Sequence, residues 1–386
     1  MGGTRSRARQ PVDVEMSRTS NNNLRRLHGA GVSIWLDTLS RRLLASGDFA
    51  RLIRDFSVTG ATSNPTIFAK AITGSDLYDD QLRSLAAAGG DDTRELFFAL
   101  ALDDVRAAAR ELRPAHERSG GRDGFISFEC TPDLADDTAA TIAQASQLWE
   151  RLAQPNVMIK VPGTPAGLPA IEELTRRGIN VNVTLLFSIE RYEEVVDAYL
   201  RGLAARARDG EPLDRIASAA SFFLSRIDTK VDAQLPEGSP LRGRVAVASA
   251  RVAYQRYLAK FDGPGWEKLM RLGAKPQRPL WASTGTKNPA YPDVLYVAEL
   301  IGPNVINTMP EQTLRAFAEH GEVARTLDSD PPGSAQTLAD AAAAGVDLPA
   351  ITAELEREGV QSFCDSYRQL LDCIDSKRSA LATASA

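Results

Sequence analysis

Residues 157–187 read VMIKVPGTPAGLPAIEELTRRGINVNVTLLF. The stretch opens with a short apolar strand, Val157 to Val161, closed by Pro162 and Gly163. An amphipathic helix is predicted from Gly167 to Arg177, and a second short strand from Ile179 to Leu185. Another helix is predicted from Ile189 to Arg208. A strand, a helix and a further strand in this order form the unit of a parallel sheet.

The same rhythm runs outward in both directions. Strands are predicted upstream at Val32 to Leu36, Ser57 to Gly60 and Phe125 to Phe128. Downstream they are predicted at Ile216 to Ala219, Leu280 to Ala282 and Val305 to Asn307. The intervening helices are expected at Leu39 to Phe56, Thr93 to Arg110, Asp133 to Arg151, Arg242 to Leu258 and Glu311 to Glu319. Eight strands in a β-then-α order predict an α/β fold, a closed (β/α)8 TIM barrel, over residues 24–330. An open doubly wound sheet is the competing arrangement. For a nucleotide it would carry a glycine-rich turn after its first strand, whereas Gly29 and Gly31 precede that strand. From Pro331 onward the helical stretches Ser334 to Gly345 and Ile351 to Ile374 have no strand between them. They predict C-terminal helices over 331–386, packed on the barrel or covering one mouth. Residues 1–23 are basic and polar and are expected to form a flexible extension.

Composition narrows the chemistry. The chain has 386 residues and a net charge of −5, which gives no footprint for a nucleic-acid partner. No run approaches 18 uncharged apolar residues, so no membrane span is expected. The lead-in has no apolar core of the secretory kind, so the expected location is cytoplasmic. Only three cysteines and three histidines are present, scattered along the chain. They do not form a ligand-spaced zinc motif, and no metal or cofactor is expected. If the chain is an enzyme, its base is therefore a carboxylate or a lysine.

Polar residues within predicted strands mark where that chemistry would lie. Strand 179–185 alternates, so Val181, Val183 and Leu185 are expected to face the helices while Asn180, Asn182 and Thr184 face inward. Inward polar groups are costly unless they bond to each other or to a ligand. Lys160 lies between Ile159 and Val161, where burial disfavours an ammonium and favours a nucleophilic amine. A snorkelling lysine or a buried ion pair is the alternative at that position. Asp37 follows the first predicted strand, Glu129 the third, and Thr184 ends the fifth, which gathers all three at one barrel mouth with Lys160. Glu129 with Thr184, through a water, would move the protons of carbinolamine and iminium formation. Asp37 would take a substrate hydroxyl proton to start carbon–carbon cleavage. The alternatives are an N-cap role for Asp37 and a solvated loop carboxylate for Glu129. Arg226 and Lys287, after the sixth and seventh predicted strands, form a candidate phosphate clamp. The segment Gly285-Thr286-Lys287 lacks the full nucleotide-loop pattern.

These segments together resemble the transaldolase family, in its longer bacterial form. The matching pieces are Trp35 to Arg41, Thr59 to Phe68, Phe128-Glu129, Ile159 to Thr164, Asn180 to Ser188, Ser221 to Asp228 and Trp281 to Asn288. They occur in family order over roughly residues 25–325. The resemblance implies that Lys160 is the Schiff-base nucleophile, Asp37 and Glu129 the proton-transfer groups, and Thr184 their partner. It also implies substrate contacts from Asn64, Asn182, Ser221 and Arg226. The family's second phosphate arginine has no counterpart here, and Lys287 lies close to its place. The implied reaction moves a dihydroxyacetone unit from sedoheptulose 7-phosphate to glyceraldehyde 3-phosphate, giving erythrose 4-phosphate and fructose 6-phosphate. It belongs to the pentose phosphate pathway and uses no cofactor. Phosphorylated sugars are the expected partners, and a monomer or homodimer the expected assembly. A fructose-6-phosphate aldolase-like enzyme that releases dihydroxyacetone would use the same groups. A non-catalytic sugar-phosphate-binding barrel would need Arg226 and Lys287 but not Lys160, Glu129 and Asp37.

Overall fold

The structure, a computed structural model, describes residues 23–384. Of the extension expected over residues 1–23, residues 1–22 lie outside the described residues, as do the last two residues, while Asn23 opens a helix. Eight parallel strands close into a barrel in chain order: β1 (Val32–Leu36), β2 (Val58–Thr62), β3 (Ile126–Glu129), β4 (Val157–Pro162), β5 (Val181–Leu186), β6 (Ser218–Phe223), β7 (Arg278–Ala282) and β8 (Val305–Met309). The last pairs with the first, from Val32 against Val305 to Leu36 against Met309. Both faces of these strands are buried, one by the barrel interior and one by the helices. This is why most of them read as apolar runs, with β5 the alternating exception.

The helices are α1 (23–29), α2 (Arg41–Ala45), α3 (Asp48–Asp55), α4 (Pro65–Thr73), α5 (Asp79–Ala87), α6 (Thr93–Arg118), α7 (Thr138–Leu152), α8 (Gly167–Arg176), α9 (Ile189–Arg208) and α10 (Ser225–Gln234). They continue with α11 (Val245–Lys260), α12 (Pro264–Arg271), α13 (Leu295–Ala298), α14 (Glu311–His320), α15 (Pro331–Ala343) and α16 (Leu348–Ala384). Capping side chains set several starts. Asp92, Asp137 and Ser188 accept backbone N–H bonds at the first turns of α6, α7 and α9.

The structure departs from the sequence reading at several points. The start expected at Asp133 is a single 3-10 turn, Pro132–Leu134, and the helix proper begins after Asp137. β6 lies two residues later than expected and β8 extends two residues further. Ser225 and Arg226 open a helix, Ser225–Gln234, that the sequence reading did not predict. Leu185 does not continue the alternation of β5. Its φ is +62° and the register against β6 shifts between Val183 and Leu186. One residue is taken up in this bulge, so Leu186 occupies the face of Val183 while Leu185 reaches Gly359 of α16. Asn180 sits below the strand. Its amide donates to the carbonyls of Pro155 and Val157 at 3.0 and 3.1 Å and accepts from Ala217 N at 2.9 Å, tying β4, β5 and β6 at their starts.

The long α16 crosses the mouth at the C-terminal ends of the strands. Polar contacts fasten it along its length: Thr66 Oγ1 to Ser366 Oγ at 2.7 Å, Thr93 Oγ1 to Asp375 at 2.5 Å, and Lys230 to Glu354 and Glu358 at 3.0 and 2.8 Å. Apolar residues on its barrel side, Phe363, Tyr367, Leu370 and Ile374, are buried in the main core. Among the described residues no helix is long and apolar enough to cross a membrane.

Candidate active site

Strand register assembles the site. Glu129, the last residue of β3, pairs with Lys160 of β4, and Lys160 pairs with Asn182 of β5. Adjacent paired residues on parallel strands point to the same side, here into the barrel. Lys160 is 5% exposed and Glu129 7%, and Lys160 Nζ lies 3.4 Å from Glu129 Oε2. This burial excludes the snorkelling arrangement for Lys160 and the solvated-loop arrangement for Glu129. Burial pushes the Glu129 carboxyl up to about 7, against the pull of the Lys160 charge.

Asp37 follows β1, its N–H bonded to the carbonyl of Met309 at 2.8 Å. It caps no helix. Ser40 does, accepting from Leu43 N. Thr62 Oγ1 donates to Asp37 Oδ1 at 3.1 Å and lies 3.2 Å from Thr308 Oγ1. Burial raises the Asp37 carboxyl above its ordinary range, while Lys160, the Thr62 bond, Lys287 and Arg226 pull it back.

A cavity of about 180 Å³ opens at this mouth. Asp37, Asn64, Lys160, Ser221, Arg226 and Lys287 line it. Six of the nine residues singled out in the sequence therefore share one space. Glu129, Asn182 and Thr184 lie behind that lining. Asn182 is held on both sides, donating to Ser127 Oγ at 2.9 Å and accepting from Ser221 Oγ at 2.7 Å. Thr184 Oγ1 is buried and makes no hydrogen bond to protein. Asn64 caps α4 through its oxygen, which accepts from Ile67 N at 2.9 Å. Its NH2 group stays available to the cavity.

Arg226 stands in the first turn of α10, where backbone N–H groups and the helix dipole favour an anion. Among the described residues, neither Arg226 nor Lys287 has a carboxylate within 4.0 Å, so both charges are open to an anion. Burial lowers the Arg226 guanidinium from its ordinary value, while Asp37 and Glu358 act in the other direction. Ser225 Oγ and Ser283 Oγ, 2.8 Å apart, join the ends of β6 and β7 beside them.

Six further lining residues, Thr62, Phe223, Ala282, Ser283, Thr308 and Phe363, were not singled out in the sequence as site residues. Thr308 lay past the assigned end of its strand. Thr62 read as part of a turn, although it continues the inward alternation of β2. Phe363, 5.6 Å from Lys160 Nζ at its ring centroid, comes from α16, more than 200 positions along the chain. Local pattern holds no signal for that contact.

A family model described as transaldolase/fructose-6-phosphate aldolase matches residues 34–374. The chain belongs to this family. A transaldolase of Frankia alni is 48% identical over 360 residues, covering 92% of this chain and 97% of the relative. One of Saccharopolyspora erythraea is 49% identical over 363 residues, covering 92% and 98%. One of Mycolicibacterium smegmatis is 48% identical over 358 residues, covering 91% and 96%. Both family membership and the closed eight-stranded barrel agree with the sequence reading. The matched region also includes most of α16, so the helix that carries Phe363 over the mouth lies within the family's span.

Proposed function

We propose that this chain is a transaldolase of the pentose phosphate pathway. It moves a dihydroxyacetone unit from sedoheptulose 7-phosphate to glyceraldehyde 3-phosphate and leaves erythrose 4-phosphate and fructose 6-phosphate. The observation that carries the reading is the buried Lys160–Glu129 pair, set at a cavity that also holds Asp37 and Arg226.

Lys160 Nζ adds to the C2 carbonyl of the ketose. Glu129, with Thr184 and a water, supplies the proton with which the carbinolamine hydroxyl leaves as water, giving an iminium. A carboxyl near 7 is suited to giving and taking that proton at neutral pH. Asp37 then removes the C4 hydroxyl proton and the C3–C4 bond breaks. Its electron pair neutralises the iminium as an enamine, and the aldehyde phosphate departs. The enamine carbon attacks the aldehyde of glyceraldehyde 3-phosphate, and Asp37 returns the proton to the new alkoxide. Hydrolysis of the second iminium frees fructose 6-phosphate and Lys160. Every proton and electron pair comes from the lysine, the carboxylates, water and the substrates, so the cycle needs no cofactor.

Arg226 at the start of α10 binds the substrate phosphate, with Lys287 in place of a second arginine. Lysine offers charge without a two-pronged donor fork, so Arg226 is the main anchor. Asn64 and Ser221 hold substrate hydroxyls, and Asn182 keeps Ser221 oriented. The protein works in the cytoplasm as a monomer or homodimer, on phosphorylated sugars.

Incubation with fructose 6-phosphate and borohydride, followed by digestion and mass mapping, tests the chemistry. Labelling at Lys160, lost in a folded but inactive Lys160→Ala, supports it. Labelling elsewhere, or turnover in that variant, overturns it. Adding erythrose 4-phosphate separates transfer from release. Formation of sedoheptulose 7-phosphate marks a transferase, and free dihydroxyacetone at the same rate with or without acceptor marks an aldolase.

A further inference from the structure

A cavity of about 490 Å³ lies at the opposite end of the barrel from Lys160. Its floor is made by residues at or near the starts of the strands: Ser33 of β1, Met158 of β4, Ser218 of β6, Arg278 of β7 and Ile306 of β8. The volume is within the range of small-molecule sites. None of the proposed chemistry uses it.

Two of its walls have distinct chemistry. One is aromatic. Tyr257 and Phe261 from α11 and the following turn stand beside Trp266 of α12, with ring centroids 5.2 Å apart for the first pair and 4.8 Å for the second. The other is cationic, with Arg122, Lys275 and Arg278. Among the described residues none of these three has a carboxylate within 4.0 Å. Arg278 is anchored by the carbonyls of Arg122 and Val305 and by Ser33 Oγ, at 3.0, 2.7 and 2.7 Å. Burial lowers the Lys275 ammonium from its ordinary value; Asp214 opposes this and the Arg122 charge adds to it. The cavity's one lining carboxylate, Asp123, is already engaged. It accepts from Trp35 Nε1 and Gly124 N, both at 2.9 Å, and from Ser33 Oγ. The space therefore joins an apolar wall of tilted and edge-to-face rings to three cationic side chains, opposed only by Asp123 and Asp214 at longer range, with Lys275 Nζ also donating to the Asp214 carbonyl at 2.5 Å.

We propose that this cavity is a second binding site, for a small ligand that couples a planar aromatic ring to a phosphate or carboxylate. The ring lies against Tyr257, Phe261 and Trp266, and the anionic group meets Arg122 and Lys275. A ring gains apolar and edge-to-face contact on that wall, and the anion gains charge-assisted hydrogen bonds at the rim. Neither half alone uses both walls. The depth of the floor, reaching five strands, suits a compact ligand better than an extended peptide.

The test is calorimetric titration of the full chain with 1-naphthyl phosphate and with adenosine 5′-monophosphate. Adenosine alone and inorganic phosphate alone serve as half-ligands. Binding of either whole ligand, at least about tenfold tighter than its half-ligands, is expected. Arg122→Glu, at an exposed position, should weaken it at least about tenfold while the melting temperature is unchanged. Adding Lys275→Glu should bring the loss to about a hundredfold with some loss of melting temperature, because Lys275 Nζ also donates to the Asp214 carbonyl at 2.5 Å. Trp266→Leu should weaken it as well, and the charge reversal keeps the test decisive should that variant fold poorly. Tighter binding of the nucleotide than of the naphthyl ester would identify the ligand as a nucleotide, and the reverse as an aryl acid. Failure of both probes to bind at 5 mM overturns the proposal. So does binding that survives the charge reversal, or binding that disappears in Arg226→Ala or is displaced by fructose 6-phosphate, since these locate it at the other mouth.

Discussion

Replacing Glu129 with glutamine removes a proton carrier and the carboxylate charge 3.4 Å from Lys160 while keeping the shape. The side chains are nearly isosteric, and glutamine can still accept from Lys160. At pH 7 a carboxyl with the ordinary value of 4.5 is only about 0.3% protonated, whereas one near 7 is about half protonated. Burial thus multiplies the acid form by roughly 150 at neutral pH. Loss of a positioned general acid costs about 100- to 10,000-fold. kcat/KM for Glu129→Gln should fall by at least 100-fold at pH 7, and borohydride trapping of the iminium should slow in parallel.

The pH profile gives the sharper reading. The acid form of Glu129 declines tenfold per unit above about 7, so wild-type kcat/KM should fall along that limb. Lys160 is 3.4 Å away, so the limb belongs to the pair rather than to one group. The glutamine variant should lack it. Stability follows with a definite sign. The folded carboxyl binds its proton more tightly than the unfolded one, so this group lowers stability as pH rises from about 4.5 to about 7. Glu129→Gln should therefore show a flatter fall in stability across that window in urea titrations. A variant within threefold of wild-type turnover, or one that keeps the limb near 7, would refute the assignment.

Arg226→Ala should raise KM for fructose 6-phosphate at least tenfold and leave cleavage of unphosphorylated fructose nearly unchanged; equal losses on both would remove Arg226 from phosphate binding. Asp228 accepts from Ala246 N and from Tyr296 Oη, both at 2.8 Å, and so caps α11 from a neighbouring helix. Asp228→Ala strands both buried donors and should cost roughly 3 kcal/mol in urea unfolding; a loss under 1 kcal/mol would contradict that role. Gly60→Ala should cost about 2 kcal/mol or more, because a Cβ there would stand 2.5 Å from the Trp35 indole. An unchanged melting temperature would show that Trp35 has room to move.

The barrel was legible because the β–α rhythm is a period effect, and period survives in sequence even where boundaries blur. Boundaries failed where local chemistry was mixed. Ser225–Gln234 carries only two large apolar residues, Ile227 and Val231, spaced at one helical turn, amid polar neighbours. The turn-spaced pair was the available signal, outweighed by the apparent loop chemistry of Ser225-Arg226. Leu185 was misplaced for a different reason. A bulge changes the facing of every residue beyond it, and nothing in Val-Thr-Leu-Leu marks which residue will be taken up. Lys160, Asn182 and Thr184 stood out because each interrupts an apolar strand, and Asp37 and Glu129 because each closes one. Phe363 interrupts nothing, since a phenylalanine on an amphipathic helix looks the same whether it covers a core or a catalytic lysine.

The interior explains how a barrel can hold a charged pair and remain a packed core. Lys160 and Glu129 stand above a polar layer whose central amide, Asn182, is bonded at both ends by Ser127 and Ser221. A satisfied amide is rigid, because turning it over would oppose donor to donor and acceptor to acceptor. Above the pair, Phe363 closes the space with an apolar ring. The lysine is thus held by its pairing with Glu129 and faced on its cavity side by an apolar ring. Buried Thr184 Oγ1, unlike Asn182, Ser127 and Ser221, is a hydroxyl with no protein partner, one of several buried polar atoms so placed. Such an orphan is costly in a structural layer. Its cost is offset once a water or substrate hydroxyl enters, which is why the unpaired group belongs beside the nucleophile rather than in the layer below.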